Sequence, residues 1–343
     1  MTKTSVFIRI ALAYCAAATF FAGCNGPQAS TIPTGASFSG FNASATRHHQ
    51  KSGAVGTSSE DFVDLSYGSC SSFTGGCNAE VAVYTFPGGQ PIGTWNAAGY
   101  ALGECADEAG NVFVTYINSG SIGEILKFAH GGTSPVATLS DPTGTPVACS
   151  VDPIRGDLAV VNGTGTLLIY SNASGIPTTY SLPGVYFYSA SYDNTGNVFV
   201  DGLTGYRSSQ PVLAKLPKGG NLFKNIKLKG LNSAGELGWD GKHLTLGVPG
   251  NPTIIYRLDI SGGHGRVAGT TQLTRIHGAV DQYSTEGEHV VVAYSWKPCR
   301  AICGDEGTVG IWHYPSGRVI KKHFTPDGAP STGMALSLAQ NHR

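Results

Sequence analysis

Gly110-Asn111-Val112-Phe113-Val114 returns unchanged as Gly196-Asn197-Val198-Phe199-Val200. Between them, Gly156-Asp157-Leu158-Ala159-Val160 is a degenerate copy. Lys242-His243-Leu244-Thr245-Leu246 and Glu288-His289-Val290-Val291-Val292 continue the series. The run before each copy often ends in aspartate, at Asp107, Asp152, Asp193 and Asp240. Self-similarity at a period of roughly 40–50 residues marks a repeat architecture, because each unit has an apolar face that only its neighbour can cover.

Each repeat reads as four short strands. The second repeat supplies 101–106, 111–116, 124–128 and 136–139; the next supplies 147–151, 158–161, 166–170 and 179–182. Runs rich in Val, Ile, Tyr and Thr, bounded by Gly, Asn, Asp and Pro, are antiparallel β signals. The N-terminal unit has its second, third and fourth strands at 62–66, 81–85 and 92–95, but no first strand. The C-terminal end supplies a lone first strand, Gly333-Met334-Ala335-Leu336-Ser337-Leu338. Completing one unit from both chain ends removes two sheet edges, whereas an open solenoid needs polar capping repeats. The phase therefore predicts an all-β, six-bladed β-propeller of four-stranded antiparallel blades, closed by the C-terminal strand joining the N-terminal blade.

The pattern Asp-x-x-Gly-Asn-Val-Phe-Val, followed by an apolar strand ending in an aromatic, resembles the NHL-type six-bladed propellers of bacteria and their secreted relatives. The resemblance runs from about Phe62 to Leu338. It implies the fold and leaves function open, since propellers host binding, scaffolding and catalysis. Ser284 stands where one unit would carry Asp, and Asp240-Gly241 is a shortened turn. Those departures argue against a ligand that needs one identical group per blade. The resemblance also implies an alternative. Six-bladed relatives include lactonases with a channel calcium and streptogramin-type lyases using His and Glu. Asn111, Asn162 and Asn197 could serve such a cation, although Asn111 and Asn197 belong to the turn motif.

Gly makes up 48 of 343 residues, charged residues are 13%, and the formal net charge is zero. That is a turn-rich, neutral β protein with no electrostatic case for nucleic acid. Residues 1–24 read as a targeting segment. Lys3 and Arg9 form a basic start, and 10–21 an apolar stretch too short for a membrane span. Phe21-Ala22-Gly23-Cys24 resembles the bacterial lipobox, which would make Cys24 the lipidated first residue of the mature protein. Ordinary signal-peptidase cleavage with an incidental cysteine is the rival reading. Residues 25–58, rich in Ser, Thr, Gly and Ala, read as a flexible tether, and 59–340 as the propeller.

Beyond Cys15 and Cys24, six cysteines remain. Cys70 with Cys77, and Cys299 with Cys303, flank loops between second and third strands, and local disulfides are expected in an oxidising compartment. Four thiolates on a metal are the rival reading. Cys105 and Cys149 lie on innermost strands of neighbouring blades. They can bridge the two blades, but their registers differ by one relative to Asp107 and Asp152, which suggests opposite strand faces. A pair of buried free thiols therefore stays open.

The Asp-x-x-Gly turns read as turn chemistry, with Asp bonding its own backbone and Gly supplying positive φ. Glu104 and Asp281 share one position on the innermost strand, and Glu236 and His277 lie close by in equivalent elements. A carboxylate there must face the channel or find a partner. These four are the candidate channel cluster, with separately satisfied polar residues as the bland alternative. The chain carries no Gly-x-Ser-x-Gly elbow and no His-Glu-x-x-His. The expected function is a lipid-anchored, monomeric binding or scaffolding module of the cell envelope, facing periplasm or exterior and needing no cofactor. Phe73 and Trp296 would anchor an envelope protein or glycan on the loops. The alternative is a periplasmic hydrolase or lyase with a divalent cation in the channel.

Overall fold

The computed structural model describes residues 59–70, 77–205, 210–250, 252–274, 276, 278–296, 306–324 and 331–340. The chain is all-β there, with several antiparallel sheets and no α-helix among the described residues. The first sheet joins β1 (Asp61–Cys70), β2 (Cys77–Phe86), β3 (Pro91–Ala106), β4 (Val112–Asn118), β5 (Gly123–Phe128) and β6 (Pro135–Asp141). The C-terminal strand β23 (Ser331–Ser337) lies on its edge, antiparallel to β1, with Phe62 opposite Ser337 and Asp64 opposite Ala335. That is the pairing the sequence predicts for the lone first strand.

The rest of the chain repeats one plan. β7 (Pro146–Val151), β8 (Leu158–Asn162), β9 (Thr166–Tyr170) and β10 (Thr178–Ser181) form a four-stranded sheet. So do β19 (Gly278–Glu286), β20 (His289–Trp296), β21 (Glu306–His313) and β22 (Val319–Phe324). Between them run β11 (Val185–Tyr192), β12 (Val198–Thr204), β13 (Gln210–Leu216) and β14 (Lys224–Lys229). These are followed by β15 (Glu236–Trp239), β16 (Leu244–Val248), β17 (Thr253–Ser261) and β18 (His264–Leu273).

Two features differ from the sequence expectation. The fourth strand of the first unit and the first strand of the second are one strand, β3. It pairs with β2 up to Ala98 and with β4 from Gly99. The switch sits at Gly99, with φ +148°, where a Cβ would strike the Ile117 carbonyl and the Tyr116 ring, so only glycine fits. Also, β14 and β18, both outermost strands, pair in parallel, merging two units into an eight-stranded sheet. Each thereby satisfies backbone groups that an open edge would expose.

Burial explains the strand composition. β8 is buried at all five positions, Leu158 to Asn162, because a second strand is covered on both faces. Fourth strands such as β6 and β14 are mostly exposed. Apolar clusters sit between successive units. Val112, Val114 and Phe128 pack with Ala79, Val81 and Ala335. Phe113 and Ile125, on the opposite face, pack with Leu158, Val160 and Tyr170. Ala159, Val161 and Leu167 meet Phe187, Val198 and Val200. Phe199 and Leu213 meet Leu244, Leu246 and Leu258. Ile255 and Leu273 meet Val290, Val292 and Trp312. Finally Val291, Ala293 and Val309 meet Val63, Leu65, Met334 and Leu336.

Candidate functional site

The polar interior of the molecule is built on the innermost strands. Glu104 lies at the inner end of β3 and is 1% exposed. Its partner, which sequence reasoning missed, is Asp64 on β1, also 1% exposed. Burial raises both carboxyls, and the charge of Glu104 raises Asp64 further. Glu104 is pushed up to about 8. The Ser66 hydroxyl and the amides of Ala335 and Ser66 pull the other way. Yet among the described residues no donor reaches either Glu104 carboxyl oxygen, or Asp64 Oδ2, with hydrogen-bond geometry. Ser66 Oγ donates instead to the Leu102 carbonyl at 2.8 Å.

The Glu104 backbone is held by Gln282 of β19. Its Oε1 accepts from Glu104 N at 3.1 Å and from Met334 N at 2.9 Å, while Nε2 donates to Glu104 O. One buried amide thus ties three inner strands, β19, β23 and β3. Next to it, Asp281 accepts from Ser331 Oγ at 2.8 Å.

Glu236 opens β15 and has a different partner. It faces Asp201 of β12, which is 1% exposed and accepts from Gly235 N at 2.6 Å. Burial pushes Glu236 up to about 8, Ser189 opposes this, and Asp201 adds to it. Asp64 and Asp201 end the same tripeptide pattern, Phe62-Val63-Asp64 and Phe199-Val200-Asp201. That recurrence was the available signal for both.

The structure therefore gathers Glu104 with Asp64, Gln282 and the neighbouring Asp281, and sets Glu236 apart with Asp201 and Ser189. His277 and Phe73 lie outside the described residues, as do Cys299 and Cys303. Trp296 ends β20 opposite Gly278 and Glu306. Among the described residues, no group of three or more His, Cys, Asp or Glu is arranged to hold a metal ion. A buried carboxyl with its pKa raised toward 8 is largely uncharged near neutrality, so it can donate a proton or a hydrogen bond.

The aspartate turns are structural. Asp107 Oδ1 accepts from Ala109 N and Asn111 N, both at 2.9 Å, and Oδ2 from Asn111 Nδ2 at 2.8 Å. Asp193 repeats this with Thr195 N, Asn197 N and Asn197 Nδ2. Asn111 and Asn197 are thereby committed to their turns. Asn162 is fully buried, with Oδ1 accepting from Thr145 N at 2.8 Å.

Cys105 and Cys149 form a disulfide, with Cα atoms 5.6 Å apart. Their registers do differ by one. That offset is what a bridge between neighbouring units requires, because one face of each unit meets the opposite face of the next. Cys77 is also disulfide-bonded, and the β1–β2 register sets Cys70 opposite it.

No protein-family model matches the chain, and no curated protein matches it. Solved structures do. A protein of unknown function from Bacteroides caccae superposes with a TM-score of 0.55 at 12% identity, covering 82% of this chain and 99% of that one. The β-propeller domain of Cps50 (Swd1) from Myceliophteria thermophila superposes with a TM-score of 0.50 at 9% identity, covering 79% and 89%. At these identities the likeness concerns fold alone: the described chain is folded in the manner of a β-propeller.

Proposed function

We propose that this chain is an exported binding or scaffolding module, a closed six-bladed ring of NHL type held to the cell envelope through Cys24. The observation that carries the reading is the Cys105–Cys149 disulfide within a propeller-like fold. Disulfides persist in oxidising compartments, which fits export and the reading of residues 1–24 as a targeting segment. Support for the ring comes from the apolar clusters. They join each four-stranded unit to the next and return from Val291 and Val309 to Val63 and Met334. In this reading 25–58 is the tether, 59–340 the propeller, and the exposed faces and loops form the contact surface for an envelope protein or glycan. The catalytic alternative needs these carboxylates to converge, and Glu104 and Glu236 instead have different neighbours, Asp64 and Asp201.

Cys24→Ser tests the anchor. The variant should leave the detergent phase on partitioning, and unchanged partitioning would contradict lipidation at Cys24. Freed of its anchor, the same variant should still sediment with delipidated envelope fragments. No retention would contradict the binding half of the proposal.

A further inference from the structure

The parallel pairing of β14 with β18 sets basic residues side by side. Lys227 lies opposite His264, and Lys229 opposite Arg266. Like charges directly opposite on neighbouring strands are destabilising, and of the Lys229–Arg266 pair only Arg266 has a carboxylate partner. A cleft of about 900 Å³ opens beside it, between the unit of β11–β14 and that of β15–β18. Lys215, Lys229, Lys242 and Arg266 line it, against two carboxylates, Asp193 and Asp259. Arg266 is paired with Asp259 at 2.9 Å. Among the described residues, no carboxylate lies within ion-pair reach of the other three cations.

The walls carry a second signature. Phe199, Trp239, Leu244, Leu258 and Ile260 give the cleft an apolar side. The indole N–H of Trp239 is buried and has no acceptor among the described residues. Lys215 Nζ stands 5.9 Å over the Phe199 ring. The cleft thus offers cations for an acid, an aromatic wall for a ring face, and a carboxylate acceptor, Asp259, for hydroxyls.

We propose that this cleft binds an acidic saccharide, an oligomer of uronate residues. Lys229, Lys242 and Lys215 would take the carboxylates, Trp239 would face a sugar ring, and Asp259 and Ser261 would accept from hydroxyls. A polyphosphate brings no hydroxyl donors for Asp259 and Ser261, whereas each uronate residue carries hydroxyls beside its single carboxylate. The inference rests on the binding-module reading and names its ligand class.

The test is calorimetric titration of the full mature chain with tetragalacturonate at low salt, with maltotetraose and inorganic phosphate as parallel arms. Tetragalacturonate should bind at least about tenfold more tightly than maltotetraose, and added salt should weaken it. Lys229→Glu combined with Lys242→Glu should weaken it by about tenfold or more without lowering the melting temperature, since both side chains are exposed and Lys229 faces Arg266. Equal affinity for the neutral sugar, or unchanged binding by the double variant, would overturn the proposal. Competition by phosphate or an oligonucleotide at equal or lower concentration would also overturn it, assigning the cleft to phosphate. If no saccharide binds yet the chain still sediments with envelope fragments, the cleft inference fails and the binding-module reading stands.

Discussion

At the scale of single residues, the decisive feature is the Asp64–Glu104 pair. Position on the innermost strand was enough to single out Glu104, Glu236 and Asp281 from the sequence. Their partners Asp64 and Asp201 were harder to find, because each sits mid-strand where alternation leads one to expect an apolar residue. Burial of Glu104 has a consequence for stability. Its folded pKa, about 8, lies above the ordinary 4.5 of an exposed glutamate. Below 4.5 the carboxyl is protonated in both states and costs little. As pH rises toward 8 the unfolded chain releases the proton and the folded chain keeps it, so stability falls across that window, by on the order of a few kcal/mol. Melting temperature should therefore decline from about pH 5 to about pH 9. Glu104→Gln, which removes one of these raised carboxyls while Glu236 and Asp201 remain, should make the decline shallower and raise the melting point at the alkaline end. A slope identical to the parent's would count against this assignment. The Cys105–Cys149 bridge spans 44 residues, for which the chain-entropy model gives about 4 kcal/mol before any strain. Cys105→Ala with Cys149→Ala should lower stability by up to that amount in denaturant titrations.

At the scale of elements, the short strands were legible because their second strands are largely apolar and are preceded by turns that open on aspartate. The continuous β3 was not, because Ala97-Ala98-Gly99 reads equally well as a loop and as extended chain. The parallel β14–β18 pair was also hidden: Lys224–Lys229 looks like an ordinary exposed strand, and pairing of distant edges leaves no periodic trace. Gln282 shows the same limit, a polar residue whose three bonds all go to backbone far away in sequence. Gln282→Ala should remove those bonds from a buried site and destabilise by about 1–3 kcal/mol. A change within a few tenths would mean that water replaces it.

At the scale of the whole molecule, a net charge of zero concealed the gathering of cations around one cleft. Composition averages over the surface, and only the folded arrangement places Lys229 beside Arg266. The pairing of β23 with β1, by contrast, was legible from the lone strand pattern at 333–338. That pairing is what the proposed ring closure rests on. Hydrogen exchange read by mass spectrometry, on the full chain and on one ending before Ser331, tests it most directly. In the full chain β1 and β23 should exchange as slowly as the enclosed strand β8, and truncation should make β1 exchange orders of magnitude faster and lower the melting temperature. Fast exchange in β1 and β23 of the intact chain, or a truncated chain that melts where the parent does, would contradict it.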